Sequence, residues 1–316
     1  MAYTNNDTNM TTSTGLTAGM QTYYNRRLLR TFEPNLVHLQ FGDEHPIPEN
    51  SGETMNFRKM VPIPVKTDPL SEGNPGEARM ISQVEVSIHM DQYGDYARYT
   101  DRLLMTHLDV RIDREAERFG DAGGRTIDTL VRDKLAACPN VIYAGGQTAR
   151  NALTAEHKLT SLELRKAVKA LKKAKAQTFD GWYIAIVGPD TIFDLQDDER
   201  FLAVAKYQDK EAIYKGEIGR LYGVRLIETT EAKIFEGAGA SGADVASTIV
   251  LGRYAYGYTG LKGVARPHVI VKPKGAAGSG DPLDQIATVG WKVDMFGAEL
   301  LQPEYAVRIE SGFTAG

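Results

Sequence analysis

Residues 61–80 read VPIPVKTDPLSEGNPGEARM and lie between two stretches that each carry the pattern of a β-strand. On the return side Val84, Val86, Ile88 and Met90 alternate with Glu85, Ser87, His89 and Asp91, the period of a strand with one buried face. On the outgoing side Met55, Phe57 and Val61 keep that period, broken only by Lys59. The two runs predict a long hairpin. Its tip, from about Pro62 to Ala78, carries Pro62, Pro64, Pro69, Pro75, Gly73 and Gly76, so it cannot continue the ladder and has few apolar groups for a core of its own. A loop of this length inside one domain is uncommon and is usually functional or disordered. Something outside the subunit is therefore expected to hold it.

Before the hairpin, residues 1 to about 50 form a polar arm whose first fifteen positions are rich in Asn, Thr and Ser. A short helix-like piece follows, with Tyr23, Tyr24, Leu28 and Leu29 beside Arg26, Arg27 and Arg30. After the hairpin the period changes. Leu104, Leu108, Ile112, Ala116 and Phe119 lie three or four apart, and Ile127, Leu130, Val131 and Leu135 resume the stripe until Pro139 stops it. As one helix this is about 35 residues, or roughly 50 Å. Gly120, Gly123 and Gly124 interrupt it, each costing up to about 1 kcal/mol against Ala, which predicts a bend or break there.

Further on, Thr160 and Glu163 have the spacing of a capping box for a helix with apolar Leu164, Val168 and Leu171. Its other face carries Arg165, Lys166, Lys169, Lys172, Lys173 and Lys175, which fits either a solvated surface or an acidic neighbouring subunit. WYIAIVGPD reads as an almost wholly apolar strand running into a Pro-Asp turn, with short helical pieces beyond it. YGVRLIET, STIVLGRYAYGYTG and HVIVKPK supply more strands, and QIATVGWKVDMFGAELLQPEYAVRIES closes the chain as an antiparallel-looking pair. The order is arm, hairpin, long helix, then an α+β domain.

Composition excludes several classes. With 316 residues, 42% of them hydrophobic, the chain can build one large or two ordinary cores. A formal net charge of -4 gives no bulk attraction to nucleic acid. One cysteine, Cys138, leaves no intramolecular disulfide and fits a reducing compartment. MAYTNNDTNMTTSTG lacks the basic and apolar regions of a signal peptide, and no run approaches the ~18 apolar residues of a membrane span.

Catalytic motifs fail on their context. GAGASG at Gly237–Gly242 satisfies G-x-G-x-x-G, but a β-branched strand follows it where a dinucleotide site needs a helix. Ala243 stands where a nucleophile elbow needs glycine, and no phosphate-binding G-x-x-x-x-G-K-[ST] occurs. His38, His45, His89, His107, His157 and His268 are scattered one per element. His107 with Asp109 and Asp113 could be drawn as a metal cluster, but interleaved charges on a helix form solvated i, i+4 pairs. Asp197, Asp198 and Glu199 fit helix capping better than paired catalytic carboxylates. No catalytic residue, cofactor or metal is assigned. The competing expectation, an α/β enzyme with a nucleotide or metal site, would rest on GAGASG and these carboxylates alone.

Three strings, VGPDTIFDLQDDERF at 187–201, GEIGRLYGVRLIETTEA at 216–232 and VGWKVDMFGAELLQPEYAVRIES at 289–311, together with the order of elements, resemble the major capsid proteins of tailed bacteriophages, specifically the N4-like major capsid family. The resemblance covers the chain from about Gly15 onward. It implies a Hong Kong 97-like α+β fold with an N-terminal arm (1–50), an extended loop (51–100), a peripheral domain with a spine helix (101–154), an axial domain (155–275) and C-terminal strands completing the peripheral domain (276–316). The implied function is a major capsid protein, without enzymatic activity, that self-assembles through pentamers and hexamers into an icosahedral shell. That shell would mature from a procapsid in the host bacterial cytoplasm and enclose double-stranded DNA without reading its sequence.

The implied partners are copies of the chain, a separate scaffolding protein, a portal and decoration proteins, with no membrane. The hairpin would lie over a neighbouring subunit. Lys59, Lys66, Asp68, Glu72, Glu77 and Arg79 would supply charges for that contact, although exposed pairs contribute only about 0–1 kcal/mol each. Gly120, Gly123 and Gly124 mark where the spine is expected to bend during shell expansion.

Overall fold

The described chain opens with strands β1 (Asp43–Glu44), β2 (Thr54–Met60), β3 (Gln83–His89) and β4 (Asp91–Thr100). The computed structural model describes residues 37–48, 52–61, 63–65, 67, 80–106, 112–198, 220–260, 267–276 and 281–314. β2 and β3 pair antiparallel from Thr54 opposite His89 to Met60 opposite Gln83, the hairpin that the alternation predicts. Only Met90 separates β3 from β4; its side chain is buried and its N–H donates to the Glu53 carbonyl at 3.0 Å. The hairpin is thus an outward continuation of a strand that belongs to the body.

Two helices follow, α1 (Asp101–Thr106) and α2 (Ile112–Ala136). The predicted 35-residue element is described as these two pieces, and residues 107–111 between them are outside the described set. α2 runs unbroken through Gly120, Gly123 and Gly124, all buried. Packing explains the continuity: Ala116 on one side of the glycines and Ile127, Val131 and Leu135 on the other are 0–4% exposed, and such burial outweighs about 1 kcal/mol of propensity per glycine.

The remaining chain forms β5 (Val141–Tyr143), α3 (Ser161–Lys173), β6 (Tyr183–Val187), α4 (Pro189–Gln196), β7 (Arg220–Leu221), β8 (Val224–Glu228), β9 (Ile234–Phe235), β10 (Val245–Leu251), β11 (Tyr256–Thr259), β12 (His268–Lys272), β13 (Ile286–Leu300) and β14 (Ala306–Ser311). Among the described residues these make two larger sheets. One has the order β1-β11-β13-β12, with β4 also on β13; the other runs β5-β14-β10-β6-β8-β7, with β9 on β10. The closing strands do not pair with each other as their sequence suggests. β13 joins β4, β11 and β12, whereas β14 crosses to lie between β5 and β10. The crossing is fastened where β10 leaves for β11: Gly252 N–H donates to the Tyr305 carbonyl, and Leu301 and Gln302 N–H both donate to Ala255.

α2 lies between the sheets. Its Ile127, Val131 and Leu135 share one cluster with Val269, Val289, Trp291 and Val293 of the first sheet and with Ile184, Ile186 and Ile249 of the second. On the far face of the second sheet, Leu164, Val168 and Leu171 of α3 and Ile192 and Leu195 of α4 pack on Ala185, Val224 and Val250. β6 is buried at every position because both of its faces are covered, which is why its sequence shows no alternation.

Polar groups fasten this body at three buried points. Asp128 on α2, fully buried, accepts from the His38 backbone N–H at 2.8 Å and lies 2.6 Å from His38 Nδ1, while Tyr256 Oη donates to the His38 carbonyl. This seats residues 37–44 on α2, and burial drives the Tyr256 hydroxyl pKa well above its ordinary value. Glu310 of β14, also fully buried, accepts two bonds from Arg150 at 2.8 and 2.6 Å, and Arg308 Nε lies 2.8 Å away. Asp194 of α4 accepts from the Thr314 N–H and hydroxyl at 2.9 and 2.7 Å and from Lys158 at 2.9 Å.

The capping box is rearranged. Thr160 is the N-cap of α3, but its hydroxyl donates to the Glu163 carboxylate, and the free Ser161 N–H is taken by Asp198 at 2.8 Å. Asp197 is the C-cap residue of α4 and Asp198, the next residue, caps α3 through the Ser161 N–H, while Glu199 lies outside the described residues.

Asp128→Ala would leave the His38 amide and ring nitrogen buried without their acceptor, so a loss of roughly 1–3 kcal/mol in unfolding free energy is expected by urea titration; an unchanged midpoint would show that residues 37–44 are held by other contacts. For Asp194, burial pushes the carboxyl pKa up, but the bonds from Lys158 and Thr314 outweigh it and hold the pKa below its ordinary value. A depressed folded-state pKa means stabilisation that is complete above the unfolded value of ~3.9 and lost as pH falls through the folded value. The stability difference between wild type and Asp194→Asn should accordingly be largest above about pH 5 and shrink below about pH 4, and a difference that stays flat from pH 6 to 3 would contradict it.

Candidate assembly surfaces

The hairpin divides into a seated half and a free half. Near its base Ile88 is 1% exposed, Phe57 packs edge-on against His45 at 4.9 Å between centroids, and Thr259 Oγ1 lies 3.7 Å from Met55 Sδ. Gly297 of β13 allows this seating, because a Cβ there would stand 2.2 Å from the His89 carbonyl oxygen. Towards the tip the cover is lost. Val84 is 49% exposed, Met60 70%, Ile63 63%, Val65 87% and Met80 98%. A soluble protein rarely leaves so contiguous an apolar run to water unless it is a contact surface.

Lys59, the residue that breaks the apolar alternation of β2, points to the body. Its Nζ donates to Glu304 Oε2 at 2.7 Å, and this bond, before the opposing effect of burial, lowers the Glu304 pKa. The other charges expected at the tip, Lys66, Asp68, Glu72, Glu77 and Arg79, lie outside the described residues. Sequence inspection passed over the exposed apolar positions themselves, although VPIPV already alternates apolar residues with proline at the period of a strand.

A second surface lies on the outer face of the first sheet. There Tyr96 and Arg98 of β4, Ile270 and Lys272 of β12, and Ile286 of β13 line a cavity of about 550 Å³. The alternation that sends Val289, Trp291 and Val293 into the core sends Thr288 and Lys292 to this face. Arg98 lies 5.4 Å from the centroid of the half-exposed Tyr96 ring and donates to its hydroxyl at 3.0 Å.

Gly237–Gly242 turns through a short 3-10 segment (Ala240–Gly242), its Ala240 N–H donates to the Leu153 carbonyl, and β10 follows. Cys138 is buried beneath β14, donates to the Ala306 carbonyl at 3.2 Å, and burial raises its pKa. His107 and Asp109 are outside the described residues, and among those described no three His, Cys, Asp or Glu side chains could hold a metal ion together. No described helix is long and apolar enough to cross a membrane.

A model of the family described as phage capsid protein matches residues 83–309, more than half of the chain. No curated protein matches the sequence. Solved structures with the same fold include the capsid of Ralstonia phage GP4, 16% identical over 86% of this chain and 87% of that one, with a TM-score of 0.65. The capsid of cyanophage Pam1 is 16% identical over 90% and 93%, with a TM-score of 0.66. A virus-like particle from Pyrococcus furiosus is 12% identical over 92% and 99%, with a TM-score of 0.51. The matched span contains α2 and most of both larger sheets. The chain belongs to the phage capsid protein family and serves as a major capsid protein, a structural unit of the viral shell.

Proposed function

We propose that this capsid protein is of the N4-like kind with a Hong Kong 97-like arrangement, and that its hairpin closes the shell by lying over a neighbouring subunit. The observation that carries this reading is the free half of the hairpin, where Met60, Ile63, Val65 and Met80 are all at least 63% exposed. Burying each such side chain against a neighbour contributes about 1.5–3 kcal/mol, and an icosahedral shell repeats the contact at every subunit. Because Lys59 is engaged with Glu304, the apolar edge and the residues beyond Val65 form the intersubunit part, and Lys59 fixes the angle at which they leave.

In this arrangement residues 1–50 are the arm, 51–100 the extended loop, 101–154 the peripheral domain with its spine, 155–275 the axial domain and 276–316 the C-terminal strands, although strand pairing crosses these bounds: β11 and β12 join β13 in the peripheral sheet, and β5 and β14 join the axial one. Copies meet as pentamers and hexamers and close by repeated heterologous contacts. A separate scaffolding protein, a portal and decoration proteins complete the particle, which is built in the bacterial cytoplasm and encloses double-stranded DNA. Gly120, Gly123 and Gly124 are where the spine bends between procapsid and mature shell, and an identical spine in the two states would refute that role.

The test is negative-stain electron microscopy with sedimentation of the full chain, alone and with its scaffolding protein. Wild type is expected to form shells, or rings of five or six. The triple variant Ile63→Ser, Val65→Ser and Met80→Ser should keep the wild-type circular dichroism and unfolding midpoint while assembling at least about ten-fold less well, since the removed burial exceeds the 1.4 kcal/mol that corresponds to that factor. Undiminished assembly of the variant would show that the hairpin edge is not an intersubunit surface.

A further inference from the structure

Helix α3 presents Arg165, Lys169, Lys172 and Lys173 along one exposed face, at spacings where like charges repel. Lys166 reaches Glu163 at 3.7 Å, but among the described residues no carboxylate lies within ion-pair distance of Lys169, Lys172 or Lys173. These side chains, with Val168 and the ring of Tyr222, line a groove of about 490 Å³. Arg165 sits 5.3 Å from the Tyr222 ring centroid. Tyr222 and Gly223 form the two-residue turn between β7 and β8, with φ of 49° and 85°. Positive φ at both positions is the demand of a tight hairpin turn that Asn or Gly meets without strain, and a bulky aromatic does not. Tyrosine at this position sacrifices backbone ease and places a half-exposed ring beside the lysines, the kind of local strain found where a surface has a partner.

The complementary surface is on α4. Asp190, Phe193 and Asp197 follow one another at helical spacing, all exposed, with Phe193 61% exposed between the two carboxylates. Both helices pack on the same face of the second sheet, and Lys158 to Asp194 and Ser161 to Asp198 hold the end of α4 beside the start of α3. One layer of the molecule therefore carries an acidic, aromatic-bearing stripe on one element and a basic groove on its neighbour. The packing fixes them side by side, so they can meet only between molecules.

We propose that the groove formed by α3 and Tyr222 receives the Phe193 stripe of a second copy of this chain, in a head-to-tail contact that repeats around the ring of a capsomer. Phe193 enters between Val168 and Tyr222, while Asp190 and Asp197 face Lys169, Lys172 and Lys173. A contact between two unlike surfaces of the same chain is heterologous, and such contacts build rings when their rotation closes. Complementary charge sets its register and its partner choice. Nucleic acid is the other polyanion that such a groove could take, but the basic residues are confined to one helix face of a chain with net charge -4. The proposal rests on the shell-forming reading above.

The test is a charge exchange in the full chain: Lys169→Glu with Lys172→Glu, Asp190→Lys with Asp197→Lys, and all four together. Assembly is read by sedimentation velocity and electron microscopy at low and high salt, folding by circular dichroism, and DNA binding by gel shift with a duplex fragment. Each double variant should fold normally and require about ten-fold more protein to form rings or shells, and the quadruple variant should return to within about three-fold of wild type. Failure of the quadruple variant to recover, or shells formed equally by wild type and both doubles, overturns the contact while leaving the shell reading intact. A double lysine variant that assembles normally but loses DNA binding also overturns it and assigns the groove to nucleic acid. Wild-type protein that forms no rings or shells under any condition removes the shell reading, and this contact with it.

Discussion

One helix has to bury its apolar stripe against two sheets at once, and the rest of the molecule is arranged around that requirement. Ile127, Val131 and Leu135 of α2, each at most 1% exposed, touch strands of both sheets within a single cluster. Burial of each such side chain contributes about 1.5–3 kcal/mol, enough to carry a helix unbroken through three glycines. The same requirement explains Asp128. A carboxylate on the core side of the helix is tolerable only when fully bonded, and it meets that condition by drawing the segment at His38 onto α2.

A body so fastened can carry a projection. β3 and β4 are nearly one strand, half of it paired in the first sheet and half in the hairpin, so the loop inherits its direction from the rigid sheet. Exposure is low at the base, at Ile88 and Met90, and high near the end, at Val65 and Met80. On the reading proposed above, this apolar surface stays unsatisfied within one chain until a neighbouring copy covers it.

The elements were largely legible in the sequence. Alternation marked β2 and β3, the Pro-Asp turn marked the start of α4 after a wholly apolar β6, and Leu164, Val168 and Leu171 marked the buried stripe of α3. Legibility stopped where one pattern serves two environments. Lys59 looked like a charge for a neighbour because a lysine in an apolar alternation has no local explanation; its partner Glu304 is distant in the chain. Val84 has the same place in the alternation as Ile88 and is nevertheless half exposed, because the body ends before it. The capping box kept its residues but exchanged its bonds once Asp198 became available to Ser161.

By itself the sequence determined the order hairpin, helix and α+β body, because strand alternation, helix spacing and turn residues act between positions close in the chain. Only the tertiary structure decided that β13 and β14 part company, that α2 serves both sheets, and that the basic groove of α3 and the acidic stripe of α4 lie on one layer. The physical reason is that a strand's periodicity states which residues face inward but not which neighbour its backbone will bond. That choice is made by hydrogen bonds and apolar contacts between residues far apart in the chain, such as Gly252 with Tyr305 and His38 with Asp128.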